Sequence, residues 1–212
     1  MSEDRIGVFL HSLETPNSEI LEMIEQEALE TQVPIIRKET QSFLKTLLTI
    51  QKPMRVLEIG TAVGFSAILM SEYIEENATI TTIEKYEPRI PIARDNFVRA
   101  GKEKQITLIE GDALEVLKQL EGTYDFIFMD AAKGQYLTYL PEVLRLLTHK
   151  GVLVSDNVLQ EGELLESRFV VERRNRTIHA RMREYLYELK HNQALQTSIM
   201  PVGDGIALSV KI

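Results

Sequence analysis

The feature that most constrains the fold is a regular alternation of apolar runs and amphipathic segments between residues 54 and 157. Five apolar runs are rich in Val, Ile, Leu and Phe: "MRVLEIG", "TITTIE", "QITLIEGD", "YDFIFMD" and "GVLVSDN". The segments between them have helical spacing. Continuously apolar strands joined by helices are typical of a parallel sheet that is covered on both faces. The pattern therefore predicts an α/β domain with a parallel sheet.

Two further regions flank this alternation. Residues 1–50 have the spacing of helices, with breaks near "TPNS" and at Pro34. A long basic helix is predicted after the fifth strand, and "ALQTSIMPVGDGIALSVKI" reads as two strands around a Gly-Asp-Gly turn. No repeat or linker interrupts the 212 residues. We expect one domain over residues 1–212, with residues 1–50 as a helical extension on or beside its core.

Composition excludes several classes of protein. The chain has no cysteine, so disulfides and cysteine-based metal sites are excluded. Neither a signal peptide nor an apolar run long enough for a membrane is present, which predicts a cytoplasmic location. The net charge is −8, but residues 1–30 hold eight acids and one arginine. The segment "SRFVVERRNRTIHARMR" concentrates six arginines, namely Arg168, Arg173, Arg174, Arg176, Arg181 and Arg183.

Acidic residues stand at or near the end of every predicted parallel strand. In an open parallel sheet, ligands bind outside the carboxyl ends of the strands. Five acids on one rim are hard to explain as solvated charges alone. The residues at these ends are Glu58, Glu84, Asp112, Asp130, and Asp156 with Asn157.

The glycine-containing loop after the first strand excludes the usual dinucleotide site. Gly60 and Gly64 are separated by three residues, which departs from the G-x-G-x-x-G spacing that a pyrophosphate requires. Glu58, two residues before Gly60, would also repel a phosphate. A cationic cofactor without phosphate suits these residues better, and S-adenosylmethionine is such a cofactor.

The strand ends supply a contact for each part of S-adenosylmethionine. Glu84 is expected to accept hydrogen bonds from the ribose hydroxyls, and Asp112 with Ala113 to contact the adenine. The two glycines let the backbone approach the methionine part, and Ser66 is available for its carboxylate.

Several motifs together resemble one family of enzymes. The segments "VLEIGTAVGFSA", "ITTIE", "GDALE", "FIFMDAAKGQY", "LVSDNVL" and "PVGDGIALS" are similar to those of metal-dependent S-adenosylmethionine O-methyltransferases of the catechol and caffeoyl-CoA type. The resemblance covers about residues 33–212. It implies the Rossmann-like class I fold, with a seven-stranded, mostly parallel sheet, an antiparallel last strand, and helices on both faces. It adds Ile36, Thr61 and Asp130 to the expected cofactor contacts, which also include Glu58.

The resemblance also implies a metal centre. Residues that match Asp130, Asp156 and Asn157 bind Mg²⁺ or another divalent cation in the family. Neighbouring strand ends lie roughly 5 Å apart, which suits convergence of these oxygen donors. Lys133 matches the catalytic lysine, and Asp130 is expected to take part in catalysis with it. Two simpler interpretations stay open: Asp156 and Asn157 as caps of the next segment, and Lys133 as a surface lysine.

The arginine-rich segment leaves the substrate open. The arginines could form a salt-bridged helix with Glu166, Glu172, Glu184 and Glu188, or contact nucleic-acid phosphates. "DAAKGQY", "SDNVL" and "PVGDGIALS" resemble bacterial tRNA 5-hydroxyuridine methyltransferases, which implies the tRNA anticodon loop as partner and a wobble-position product, 5-methoxyuridine. The alternative is a small catechol or phenolic metabolite, and a remote one is a non-catalytic or nicotinamide-binding protein. A homodimer is also expected.

Overall fold

A computed structural model describes residues 3–167 and 169–212. Seven strands form one sheet in the order β3-β2-β1-β4-β5-β7-β6. Strands β1 to β5 are parallel, and β7 runs antiparallel to both β5 and β6. The predicted Rossmann-like sheet with an antiparallel last strand is confirmed. The strands are β1 Arg55–Ile59, β2 Thr79–Glu84, β3 Ile106–Glu110, β4 Tyr124–Met129, β5 Leu147–Ser155, β6 Leu195–Met200 and β7 Ile206–Lys211.

Helices cover both faces of this sheet. They are α1 Glu3–His11, α2 Glu19–Glu30, α3 Lys38–Gln51, α4 Phe65–Ser71, α5 Ile90–Arg99, α6 Ala113–Gln119, α7 Tyr136–Leu146 and α8 Arg176–His191. Residues 133–135 and 160–165 form short 3₁₀ turns. No helix in the described part of the chain is long and apolar enough to cross a membrane.

The strands divide their side chains between two buried clusters. Along β4, Phe126 belongs to the cluster that α2 to α5 cover, whereas Ile127 belongs to the cluster under α6, α7 and α8. This alternation follows from the two-residue period of a strand. Both faces are apolar, which explains why the strand sequences are continuously apolar. Leu21 of α2 and Leu44 of α3 are fully buried in the first cluster, so these helices contribute to the core.

Two predicted helices begin or end elsewhere. The helix predicted over "GFSAILMSEYIEE" ends at Ser71, whose hydroxyl donates to the carbonyl of Ile68 at 2.7 Å and so competes with further helical bonding. The basic helix begins only at Arg176. The Arg176 guanidinium donates to the carbonyls of Val171 and Phe169 at 3.1 and 3.2 Å, which stabilises a folded loop before the helix.

Candidate active site

A cleft of about 590 Å³ opens at the carboxyl ends of the parallel strands. It is bounded by the loops that follow β1, β2, β4 and β5, by residues 34–37 before α3, and by the β6–β7 turn. Most of the predicted site residues meet here. Those that line the cleft are Ile36, Gly60, Thr61, Ser66, Glu84, Ala113, Asp130, Lys133 and Asn157.

The glycine-containing loop after β1 is shaped by close backbone approach. Gly60 has a φ of 104°, and a Cβ atom there would collide with the backbone carbonyl of Asp130. Gly64 has a φ of 85°, and a Cβ there would lie 2.5 Å from the ring of Phe97. Glycine is therefore required at both positions. Gly64 supports the loop from behind, since it does not line the cleft.

The Glu84 carboxylate fixes the loop from the neighbouring strand. It accepts hydrogen bonds from the backbone N–H groups of Ala62 at 2.8 Å, Lys85 at 2.9 Å and Tyr86 at 2.8 Å. A carboxylate offers about four acceptor positions. Glu84 therefore keeps acceptor capacity for a ligand while it holds the loop, and its contact with the ribose hydroxyls stays a prediction.

Glu58 lies outside the cleft, although the sequence places it among the cofactor contacts. It is fully buried, and its carboxylate accepts hydrogen bonds from Ser66 and Thr82, both at 2.5 Å. The Thr82 hydroxyl lies 2.5 Å from that of Thr61. Burial raises the pKa of Glu58 from 4.5 to about 7, against the hydrogen bonds from Ser66 and Thr82. Glu58 thus supports two residues that do line the cleft, Ser66 and Thr61.

Asp112 also acts from outside the cleft, between Gly111 and Ala113, which line it. Its carboxylate accepts the N–H of Leu114 at 3.0 Å and so caps α6. It also pairs with Lys85 at 3.3 Å. Burial acts to raise the pKa of Asp112, but Lys85 and Leu114 outweigh it and lower the pKa.

The predicted metal ligands lie at the ends of β4 and β5, where Asp130 and Asn157 line the cleft and Asp156 is buried beside it without lining it. The Asp156 N–H donates to the Met129 carbonyl at 3.0 Å, which places Asp130 and Asp156 on neighbouring strand ends. Asn157 follows with a φ of 55°, a left-handed conformation that asparagine tolerates better than most residues. The Asp156 carboxylate is buried and accepts the N–H of Asn157 at 2.8 Å and the hydroxyl of Thr40 at 3.5 Å.

Burial makes these two carboxylates unusually weak acids. It raises the pKa of Asp130 to about 6, although Lys133 lowers it. Burial, then repulsion from Asp130, raises the pKa of Asp156 to about 7. Two neighbouring carboxylates that repel each other, buried Asp156 and Asp130 in the cleft wall, suit a bound cation. Among the described residues, no three His, Cys, Asp or Glu side chains form a metal-binding group; the predicted set has two carboxylates and one amide.

Lys133 stands in the 3₁₀ turn after β4, and its ammonium faces an acid that the sequence analysis missed. Lys133 Nζ lies 3.4 Å from Oδ2 of Asp204, which is buried and lines the cleft. Asp204 belongs to the Gly-Asp-Gly turn of the predicted hairpin. The signal that could have identified it is an acid between two glycines in the motif "PVGDGIALS".

The predicted arginine cluster divides into two groups. Arg176, Arg181 and Arg183 donate to backbone carbonyls of Val171, Gly134 and Leu164 at 3.1, 3.0 and 2.8 Å. Arg174, which is 81% exposed, pairs with Glu172 at 2.7 Å. Arg173 and Arg174 precede α8 in a turn, and Arg168 lies outside the described residues.

Comparisons with known proteins show what this chain is similar to. The model of the O-methyltransferase family matches residues 11–212. A catechol O-methyltransferase from Niastella koreensis is 35% identical over 129 residues, a match that spans 58% of this chain and 58% of that enzyme. Caffeoyl-CoA O-methyltransferase 2 from Populus trichocarpa is 32% identical over 191 residues, which cover 80% of this chain and 72% of the plant enzyme.

Solved structures share the whole fold. An O-methyltransferase from Bacillus cereus, in complex with S-adenosylhomocysteine, superposes with a TM-score of 0.87 at 25% identity, over 98% of this chain and 97% of the other. A methyltransferase from Podospora anserina, also bound to S-adenosylhomocysteine, gives a TM-score of 0.87 at 26% identity, over 99% and 94% of the two chains.

Proposed function

Because the chain belongs to the O-methyltransferase family, we propose that it transfers the methyl group of S-adenosylmethionine to a hydroxyl group that lies next to a second oxygen atom. The observation that carries this proposal is the pair of carboxylates at adjacent strand ends, Asp130 in the cleft wall and buried Asp156, beside the Lys133 ammonium. This arrangement suits a substrate with two neighbouring oxygens and a divalent cation.

A divalent cation would be held by Asp130, Asp156 and Asn157. When bound, it would lower the pKa of the substrate hydroxyl and orient its two oxygens. The residues fit a cation because Asp130 and Asp156 place two carboxylates that repel each other at neighbouring strand ends: burial and repulsion from Asp130 raise the pKa of Asp156 to about 7. Magnesium suits such hard oxygen donors.

The chain's own residues supply the remaining parts of the reaction. Gly60, Glu84 and Ser66 form the wall that would orient S-adenosylmethionine. Lys133 stands where the substrate hydroxyl would lose its proton: as a neutral amine it would take that proton, and as an ammonium it would stabilise the oxygen anion. Methyl transfer then needs the oxygen to be held in line with the sulfur–methyl bond, a matter of positioning.

A small phenolic molecule is the first candidate substrate. The catechol and caffeoyl-CoA O-methyltransferases match this chain at 35% and 32% identity. A catechol carries two neighbouring oxygens, as the proposed site requires.

5-Hydroxyuridine at the tRNA wobble position is the second candidate. Its C5 hydroxyl and C4 carbonyl are also neighbouring oxygens, and a loop nucleotide can be turned out into a pocket. The specific observation in its favour is the arginine group: Arg181 bonds to Gly134, next to Lys133, and exposed Arg174 lies on the same basic segment. An RNA backbone could therefore be bound beside the cleft.

A single panel tests the proposal. The purified protein is incubated with radiolabelled S-adenosylmethionine, Mg²⁺, and either a catechol, caffeoyl-CoA or tRNA that carries 5-hydroxyuridine. We expect labelled product from one acceptor class, and its loss in excess EDTA. Full activity in EDTA would overturn the metal role, and stabilisation by NADH without stabilisation by S-adenosylhomocysteine would overturn the cofactor. The cytoplasmic location and the homodimer remain predictions, and sedimentation tests the latter.

A further inference from the structure

The β6–β7 turn is attached to the loop after β5, which begins with two of the predicted metal ligands, Asp156 and Asn157. The Val158 N–H donates to the Gly205 carbonyl at 2.9 Å, and the Leu159 N–H to the Asp204 carbonyl at 3.0 Å. Gly205 has a φ of 88°, and a Cβ atom there would collide with Leu159. The turn is therefore fixed by its backbone at a set distance from Asn157.

The same turn delivers a buried carboxylate into the cleft. Asp204 is 5% exposed and lines the cleft wall. A buried carboxylate is costly unless charged or polar partners compensate it. One partner is the ammonium of Lys133, 3.4 Å away. The charge of Asp204 also reaches the metal site, because it adds to burial and to Asp130 as a cause of the raised pKa of Asp156.

Lys133 needs such a partner if its ammonium group is to be held in one position. Lysine carries its charge on a flexible four-carbon stem with three rotatable donors. Lys133 also lies close enough to Asp130, three residues earlier, for its positive charge to act against the raised pKa of that carboxyl. Asp204 comes from a different element and offers a second acceptor. Two acids on separate elements restrict the ammonium more than one acid on its own loop.

We propose that Asp204 is a positioning residue that holds the Lys133 ammonium beside the hydroxyl to be methylated. The inference rests on the proposed role of Lys133 in the reaction. Asp204 acts through Lys133, so its loss should reduce turnover without loss of cofactor binding. The Gly-Asp-Gly turn lies far from Lys133 along the chain, and it would join this proposed catalytic lysine to the loop that carries Asp156 and Asn157.

The test uses Asp204→Asn, which keeps the shape and the backbone bonds of the turn. Glu142→Gln is the matched control, because it removes an acid from another ion pair, 2.6 Å from Arg145, outside the cleft. The first readout is the NMR signal of the Lys133 ammonium in the full chain, assigned with Lys133→Arg. The second is kcat and KM with Mg²⁺ and each acceptor of the panel, beside the Kd for S-adenosylhomocysteine.

We expect the Lys133 ammonium signal to shift or broaden in Asp204→Asn and to stay unchanged in Glu142→Gln. We expect kcat to fall roughly 10- to 100-fold, the size of effect that a misplaced catalytic group produces, with an unchanged Kd for S-adenosylhomocysteine. In a Lys133→Met background, Asp204→Asn should have no further effect.

Three results would overturn the positioning role: an unchanged ammonium signal, an unchanged kcat, or equal losses with and without Lys133. If the wild type methylates none of the acceptors, the proposed function fails separately. The NMR arm then still decides, since an unchanged ammonium signal in Asp204→Asn removes the inference.

Discussion

At the scale of single residues, burial gives the strand-end acids different properties. Glu58 and Asp156 are buried, Asp130 lies in the cleft wall, and burial raises the pKa of these three acids to about 7, 7 and 6. Glu84 instead accepts three backbone N–H groups. The sequence shows that these residues are acids near strand ends. The burial of each side chain and its hydrogen-bond partners depend on tertiary packing.

Glu58 gives a prediction about stability and pH. The folded protein keeps the Glu58 proton up to about pH 7, whereas the unfolded chain releases it near pH 4.5. The folded state thus binds more protons between these values, and this contribution to stability falls as pH rises through that window. The difference between these two pKa values corresponds to about 3 kcal/mol. Glu58→Gln, which stays neutral, should therefore gain stability relative to the wild type as pH rises from 5 to 8.

Urea unfolding at pH 5 and pH 8 checks this expectation. Glu121→Gln, at an exposed position, is the control and should follow the wild type at both pH values. A difference between wild type and Glu58→Gln that does not change with pH would show that Glu58 is ionised in the folded protein throughout.

Asp156 gives a prediction about metal removal. Asp156→Ala should abolish methyl transfer, because one of two carboxylate ligands is lost, while the Kd for S-adenosylmethionine should change little. Mg²⁺ should raise the melting temperature of the wild type by mass action and leave that of Asp156→Ala unchanged. Thermal unfolding with and without Mg²⁺ measures this. An equal Mg²⁺ response in both proteins would place the metal elsewhere.

Glu84 gives a prediction about the cofactor. Glu84→Ala should weaken S-adenosylmethionine binding by about 1–3 kcal/mol, since it removes a charged acceptor and releases the N–H groups that it holds. Calorimetry measures the change. Asp112→Ala is an informative comparison, because Asp112 stands outside the cleft wall and should affect binding less. An unchanged Kd in Glu84→Ala would remove Glu84 from the cofactor site.

At the scale of elements, a buried tyrosine links the two strands that carry the proposed metal ligands. The Tyr136 hydroxyl lies within donor distance of the Met129 carbonyl, at 3.2 Å, and of the Asp156 carbonyl, at 3.1 Å. It also accepts the N–H of Ala131 at 3.3 Å. Tyr136 begins α7, so this helix is connected to the ends of both β4 and β5 through one hydroxyl.

Tyr136→Phe should therefore loosen the metal site. We expect a stability loss of about 1–3 kcal/mol from unsatisfied buried groups, and a smaller Mg²⁺-induced rise in melting temperature. Tyr185→Phe is the control: its hydroxyl lies 2.6 Å from that of Ser155, and its ring packs edge-on against Tyr136 at 5.5 Å. It should lose stability and keep the full Mg²⁺ response. An equal loss of that response in both variants would contradict the special role of Tyr136.

The elements also show which parts of the fold and of the site can be predicted from the sequence. The strands follow from local apolar runs, and the convergence of Asp130, Asp156 and Asn157 follows from the rule that parallel strand ends share an edge. Asp204 was missed because the order β5-β7-β6 brings a turn far along the chain next to Lys133. Helix α8 begins only at Arg176, because the bonds from its guanidinium to the carbonyls of Phe169 and Val171 stabilise a folded loop that helical periodicity does not predict.

At the scale of the whole molecule, charge is unevenly distributed. Residues 1–30 carry eight acids and one arginine, whereas the segment 167–183 carries six arginines, of which Arg168 lies outside the described residues. Net charge of −8 therefore says little about any one surface. Three of these arginines have structural partners in the backbone. Arg173 and Arg174, in the turn before α8, are the better candidates for contact with RNA.

The last prediction separates the two candidate substrates through these arginines. Replacing Arg173 and Arg174 together by alanine should raise the KM for hydroxyuridine tRNA. It should also flatten the slope of log affinity against log salt concentration by up to about two, because each phosphate contact that is lost no longer releases counterions. Arg176 stays in place, since its removal would free the carbonyls of Phe169 and Val171.

Arg94→Ala is the control. Arg94 lies on α5, is exposed, and pairs with Glu110 at 2.7 Å. It should keep the wild-type salt slope, because an exposed ion pair is worth about 0–1 kcal/mol and makes no RNA contact. The double variant should bind S-adenosylmethionine normally and should methylate a catechol as the wild type does. If its KM for tRNA equals that of the wild type across a salt series, the arginines do not hold RNA, and the small phenolic substrate becomes the better proposal.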